Sequence, residues 1–162
     1  MLKPDAHFEK ITGISIEFFK EHNIKGIILD IDNTILDLDK KPVEGIETWV
    51  DILKKNNIKL CIASNSINKE KLDNISQKLD IPYIARSLKP LKSGLKKAIN
   101  IINITPEQVA EIGDQVFTDV LGANRMKMLS ILVKPLSPEK HFISELKRKI
   151  ERLVLKKYEI LK

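Results

Sequence analysis

Short apolar runs alternate along the chain with longer amphipathic stretches. Runs of branched apolar residues predict strands at residues 26–31, 58–63, 83–85, 109–113 and 130–133. Between them, apolar positions at helical spacing predict helices at 46–56, 69–79, 91–102 and 116–128. Local punctuation agrees with these bounds. Asn68 is placed to cap the helix that begins KEKL, and TPEQ at 105–108 has the form of a capping box with proline at the first helical position. Ser137, Pro138 and Glu139 open a last helix, over about 138–160, in the same manner. ISIEFFKEHN, near the N-terminus, is a further amphipathic segment that could pack on the domain or bind a surface.

Nearly continuous apolar strands separated by helices indicate a parallel sheet covered on both faces. The regular alternation gives a doubly wound α/β domain of five strands, with right-handed crossovers. Such sheets bind ligands in a crevice at the carboxyl ends of their strands. No internal repeat, low-complexity segment or linker divides the chain, so residues 1–162 are read as one domain.

Composition narrows the class. An apolar content of 43% and a charged content of 31% suit a globular protein with one core. No run reaches the ~18 uninterrupted apolar residues of a membrane-spanning helix. MLKPDAHFEK carries a proline and two acids where an export signal needs an apolar stretch, so the expected location is the cytoplasm. Cys61, the sole cysteine, sits in an apolar strand and reads as a small buried hydrophobe. The net charge of +6 is concentrated at one end: residues 134–162 hold nine Lys or Arg against four Glu, which is +5. An anionic partner for that segment follows from this asymmetry.

The chemistry gathers where the strands end. Asp30, Asp32 and Thr34 follow the first strand, Ser64, Asn65 and Ser66 the second, and Lys89 and Pro90 the third. Asp114 and Gln115 follow the fourth, with Thr118 and Asp119 one turn further on. Asp30 and Asp32, two apart, share a side if the strand continues that far, and two like charges held together repel unless a cation lies between them. Alone, the pair reads equally well as a solvated strand end. With a lysine, hydroxyls and a third carboxylate in the same crevice, the inventory suits phosphoryl transfer around a hard divalent cation.

In that order DIDNT (30–34), ASN (63–65), KP (89–90) and GDQVFTD (113–119) resemble the four motifs of the haloacid dehalogenase (HAD) superfamily of phosphohydrolases. The resemblance implies that Asp30 is the nucleophile, forming an aspartyl-phosphate, and that Asp32 is the general acid and base. It implies phosphate binding by Ser64 and Asn65, and charge neutralisation by Lys89. Magnesium would be held by Asp30, the backbone carbonyl of Asp32 and Asp114, with Thr34 and Asp119 in support. Roughly two dozen residues separate the first motif from the second strand, and the second motif from Lys89, so neither gap has room for a cap domain. KGIILDIDNTI and EIGDQVFTDVLGANRMKMLSILVKPL are similar to the capless subfamily IIIA, YqeG-type enzymes, themselves similar to mitochondrial phosphatidylglycerophosphate phosphatases. The implied substrate is a phosphomonoester, with phosphatidylglycerophosphate the first choice and a soluble phospho-metabolite or nucleotide the alternative. A scaffold that keeps the fold without turnover is the non-enzyme reading, and the intact acids oppose it.

Other features have plainer readings. Asn33 is expected to stabilise the loop after the first strand, and Trp49 to pack in the core. His7, His22 and His141 lie away from the strand ends and read as surface residues. Few aromatics leave no stacking platform for nucleic acid. On the last helix Phe142, Ile143, Leu146, Ile150, Leu153, Val154, Ile160 and Leu161 fall within an arc of about 120°. The plain expectation is that this stripe packs on the domain, and the sharper one is that the basic helix lies on an anionic lipid surface.

Overall fold

The computed structural model describes residues 1–138, 142–158 and 160. Six parallel strands form one sheet: β1 (Ala6–Phe8), β2 (Gly26–Leu29), β3 (Lys59–Ala63), β4 (Tyr83–Ile84), β5 (Val109–Gly113) and β6 (Leu129–Val133). Their spatial order is β1-β6-β5-β2-β3-β4. The sheet therefore has one strand more than the five expected. β1 pairs with β6 at the edge, and its three residues are too short to show a strand pattern.

The helices are α1 (Ile16–Glu21), α2 (Ile46–Lys55), α3 (Lys69–Leu79), α4 (Lys92–Ile102), α5 (Leu121–Met126) and α6 (Phe142–Lys157). The helix expected over 116–128 is divided, its first turn being a π-turn at Val116–Val120 that leads into α5. Asn68 caps α3 by accepting from the Lys71 amide. TPEQ opens only a 3-10 turn, and the Thr105 side chain makes no capping bond there. The expected start of the last helix, at Glu139, lies outside the described residues, as does His141.

Alternation along the strands divides the core into two layers. Ile27, Leu29, Leu60, Ile62, Ala110 and Ile112 face α2 and α3, where Trp49 is buried with its Nε1 donating to the Ile14 carbonyl at 2.8 Å. Ile28, Cys61, Ala63 and Val109 face α4 and α5. Cys61 is fully buried, and burial pushes its thiol up to about 12, so it is inert packing as expected. The chain proceeds outward from β2 through β3 to β4, then crosses back to β5 on the other side of β2. That reversal opens a crevice at the carboxyl ends of β2 and β5. Each connection from β2 to β4 carries one helix and no inserted domain.

Candidate active site

Regular pairing of β2 stops at Leu29, but the Asp30 amide still donates to the Ile112 carbonyl at 2.9 Å. This fixes Asp30 against β5 at the crevice. The chain then turns sharply, with the amides of Thr34, Ile35 and Leu36 all directed at the Ile31 carbonyl. Asn33 takes a left-handed conformation (φ 60°) and its side chain accepts from the Ser137 amide, the loop-stabilising role expected of it. Strand geometry ends before Asp32, so the two acids differ in burial although the Asp32 charge still reaches Asp30. Asp30 is buried, whereas the Asp32 side chain is half-exposed and bonded to Lys71 on α3.

Lys89 is the centre of the site. Its Nζ lies 2.9 Å from Asp30 Oδ1, 2.8 Å from Asp119 Oδ1 and 3.4 Å from Glu111 Oε1, with every partner buried. Burial acts against its charge, but the three carboxylates outweigh that and hold the ammonium well above its ordinary value. The loop carrying Lys89 is fixed by Asn65, whose Oδ1 accepts from the Lys89 amide and Ser87 Oγ and whose Nδ2 donates to the Lys89 carbonyl. Asn65 thus shapes the loop that delivers the lysine. Ser64 is buried at the end of β3, its Oγ accepting from the Ser66 amide at 3.1 Å.

Asp30, Asp114 and Asp119 bring one carboxylate oxygen each within 4.8 Å of the others. Three buried, oxygen-only donors so close together fit a hard divalent cation. Asp119 both joins this cluster and pairs with Lys89, while Thr34 Oγ1 donates to Asp114 Oδ1 over a long 3.4 Å. Gly113 permits the arrangement, because a Cβ there would stand 2.2 Å from the Asp119 carboxyl carbon. Asp114 is also gripped from α6, where Arg148 donates to its carboxylate and, at 2.6 Å, to its backbone carbonyl.

Two buried acids lay beyond the sequence reading. Glu111, in the middle of β5, has no close hydrogen-bond donor on either oxygen, and the Lys89 ammonium at 3.4 Å offsets the like charges of Asp119 and Asp30 around it. An acid inside an otherwise apolar strand is the signal that could have found it, since a buried charge requires a partner. Glu151 on α6 accepts from the Phe117 amide and from Arg148, tying that helix to the π-turn.

Burial, opposed by Lys89, pushes Asp30 up to about 7, and burial likewise raises Glu111 and Asp114 well above the usual carboxylate range. Acids raised in the folded state bind protons that the unfolded chain has released. Without a cation, stability should therefore fall as pH rises from about 4 to 7. A divalent cation prefers the ionised cluster and opposes that loss. The gain in Tm on adding magnesium should be greater at pH 8 than at pH 5 by about 4 °C or more, read by differential scanning fluorimetry. Equal gains would contradict a cation site at these acids.

Beside Asp114, a cavity of about 400 Å³ lies between the end of β6 and α6. Val116, Leu132, Val133, Leu136 and Leu155 make its lining mainly apolar, and Arg148 and Arg152 border it.

The α6 helix meets the packing expectation only in part. It docks through Arg148, Glu151 and Leu155, whereas Leu146, Ile150 and Leu153 are exposed. At 100° per residue these two triplets are about 170° apart, so Leu146, Ile150 and Leu153 do not pack on the domain, whereas Val154 and Ile160 of the same stripe pack against the cluster of Val116, Leu132 and Leu155. Arg148, on the polar face, bonds the buried Asp114 and offsets part of the burial of its charge. The side chains of Phe142 and Ile143, and all of Leu161, lie outside the described residues.

The family described as mitochondrial PGP phosphatase matches residues 1–136. The chain is 36% identical over 153 residues to the probable phosphatase YqeG of Bacillus subtilis, covering 94% of this chain and 88% of that protein. It is 31% identical over 127 residues to the mitochondrial phosphatidylglycerophosphatase GEP4 of Saccharomyces cerevisiae, covering 69% and 68%. In fold it is similar to the cobalt-bound deoxy-D-mannose-octulosonate 8-phosphate phosphatase of Haemophilus influenzae, with a TM-score of 0.55 at 17% identity, over 85% of this chain and 90% of that one.

Proposed function

Since the chain belongs to the PGP phosphatase family, of the HAD type, and is a phosphatase, we propose that it is a magnesium-dependent phosphomonoester hydrolase acting through an aspartyl-phosphate on Asp30. The observation that carries this reading is the buried Lys89 held between Asp30 and Asp119, with Asp114 alongside. An Asp30 oxygen attacks phosphorus while the bond to the leaving oxygen breaks, and Asp32 gives that oxygen its proton. In the second half Asp32 takes a proton from water as the water attacks phosphorus, and Asp30 is released with inorganic phosphate. Lys71 holds the half-exposed Asp32 side chain in place for this role. Lys89 and the Ser64 hydroxyl receive charge on the phosphoryl oxygens. Magnesium, held by Asp30, Asp114 and the Asp32 carbonyl, would add positive charge where negative charge builds up.

For the substrate, the reading is a lipid phosphate, with phosphatidylglycerophosphate first. Its support is the family, the crevice without an inserted domain, and the apolar cavity next to Asp114. Among the described residues no helix is long and apolar enough to cross a membrane, so such a substrate would be met at the bilayer surface. The test is a panel on purified protein, with and without magnesium. It contains phosphatidylglycerophosphate in vesicles, a sugar phosphate, a nucleotide and p-nitrophenyl phosphate. The expected result is magnesium-dependent phosphate release with kcat/KM at least about tenfold higher on the lipid, a gap of 1.4 kcal/mol. Faster turnover of a soluble ester would replace the lipid reading, and no release from any ester would remove the hydrolase.

A further inference from the structure

Among the described residues, six of the ten exposed large apolar side chains stand on two flanks of the crevice. One flank is formed by the loops after β3 and β4, with Ile67 71%, Leu88 57% and Leu91 52% exposed. The loops are joined by the Arg86 amide donating to the Ser66 carbonyl and the Ser87 amide donating to the Ser64 carbonyl, and the Leu91 amide donates to the Leu88 carbonyl within the second loop. Leu88 adjoins Lys89 in sequence but points the other way: the lysine is buried against Asp30, while the leucine is held outward at φ 56°. The other flank is α6, whose polar face reaches Asp114 and Gln115 and whose opposite face presents Leu146, Ile150 and Leu153.

Charge selects the occupant. Residues 81–106 contain Arg86, Lys89, Lys92, Lys96 and Lys97 and no acid, and all of these but Lys89 are exposed. On α6 the exposed Lys149, Lys156 and Lys157 border or interrupt the apolar row. Apolar side chains framed by lysine and arginine suit the boundary between headgroups and acyl chains of an anionic bilayer. A protein partner of ordinary composition offers no such continuous negative field.

We propose that these two flanks, the Ile67–Leu88–Leu91 rim and the outward face of α6, are together a docking surface for an anionic lipid bilayer, set so that a lipid-borne phosphate meets Asp30 at the crevice mouth. The inference rests on the lipid-phosphate reading for its purpose, but not for its test. Binding is measured by co-sedimentation with phosphatidylglycerol–phosphatidylcholine vesicles and with pure phosphatidylcholine vesicles, none of which contains a phosphomonoester. Three full-length variants are compared with the wild type: L88N/L91S, L146S/I150S/L153S, and I101S as a control. Asn suits the left-handed backbone at residue 88, and Ile101 is exposed at the C-terminal end of α4, by the start of β2 at the end of the sheet away from the crevice. Thermal melts establish that each variant is folded.

The wild type should bind the anionic vesicles at least tenfold more tightly than the neutral ones, and less tightly as salt is raised. Each flank variant should lose tenfold or more on anionic vesicles, and I101S should bind as the wild type does. Wild-type binding retained by either folded flank variant overturns the two-flank surface. So does equal binding to both vesicle types, or a dimer that L146S/I150S/L153S dissociates while the wild type ignores vesicles. Vesicle binding as described, with no release of phosphate from lipid in the substrate panel, would instead overturn the substrate reading and leave the docking surface standing.

Discussion

Asp30→Asn should reduce kcat by on the order of 10⁴-fold or more while leaving the protein folded. Asparagine keeps the shape of the side chain but cannot form the acyl-phosphate bond. The same change should not destabilise the fold. Burial already pushes the Asp30 carboxyl up to about 7, so a neutral isostere relieves an unfavourable charge, and Lys89 keeps Asp119 and Glu111 as partners. Loss of turnover with an unchanged or higher Tm is therefore expected near neutral pH. Measurable turnover near the wild-type rate would remove Asp30 as the nucleophile. Loss of activity accompanied by unfolding would mean that the residue is structural.

Lys89→Met should do the opposite to stability. Three buried carboxylates would lose their shared cation, and removing one partner of a buried ion pair costs about 3–5 kcal/mol. For a chain of this length that corresponds to a fall in Tm on the order of 10 °C. Activity should fall by about 10³-fold, because Asp30 would be protonated and the phosphoryl charge unanswered. Chemical denaturation compared with steady-state kinetics would show both effects. A variant as stable as the wild type would mean that Lys89 does not hold the acids together.

The motif residues were legible because the strand pattern placed them at strand ends, and parallel strands present their ends along one edge. Asp30, Ser64, Lys89 and Asp114 fall where apolar runs stop, and the structure brings Asp30, Lys89, Asp114 and Asp119 into contact range. Three things were not legible, each for a physical reason. β1 has three residues and depends on β6 for its pairing, so no periodicity announces it. Asp32 is half-exposed and paired with Lys71, unlike the buried Asp30, because the turn around the Ile31 carbonyl ends the strand between them. The orientation of α6 is set by contacts of Arg148 with Asp114, Glu151 with the Phe117 amide and Leu155 with the domain, tertiary partners that a helical wheel does not contain. Glu111 was readable in principle, as a lone acid within an apolar strand.

The central claim is a covalent phosphoryl group on Asp30. Its most direct test mixes the Asp32→Asn protein with magnesium and a phosphomonoester, quenches in acid, and locates any added phosphoryl group by peptide mass spectrometry. With the first half-reaction slowed less than the second, the account predicts an acid-stable, base-labile phosphoryl group on Asp30 that approaches one per chain. A phosphoryl group on any other residue, or ester cleavage with none on the protein, would contradict it.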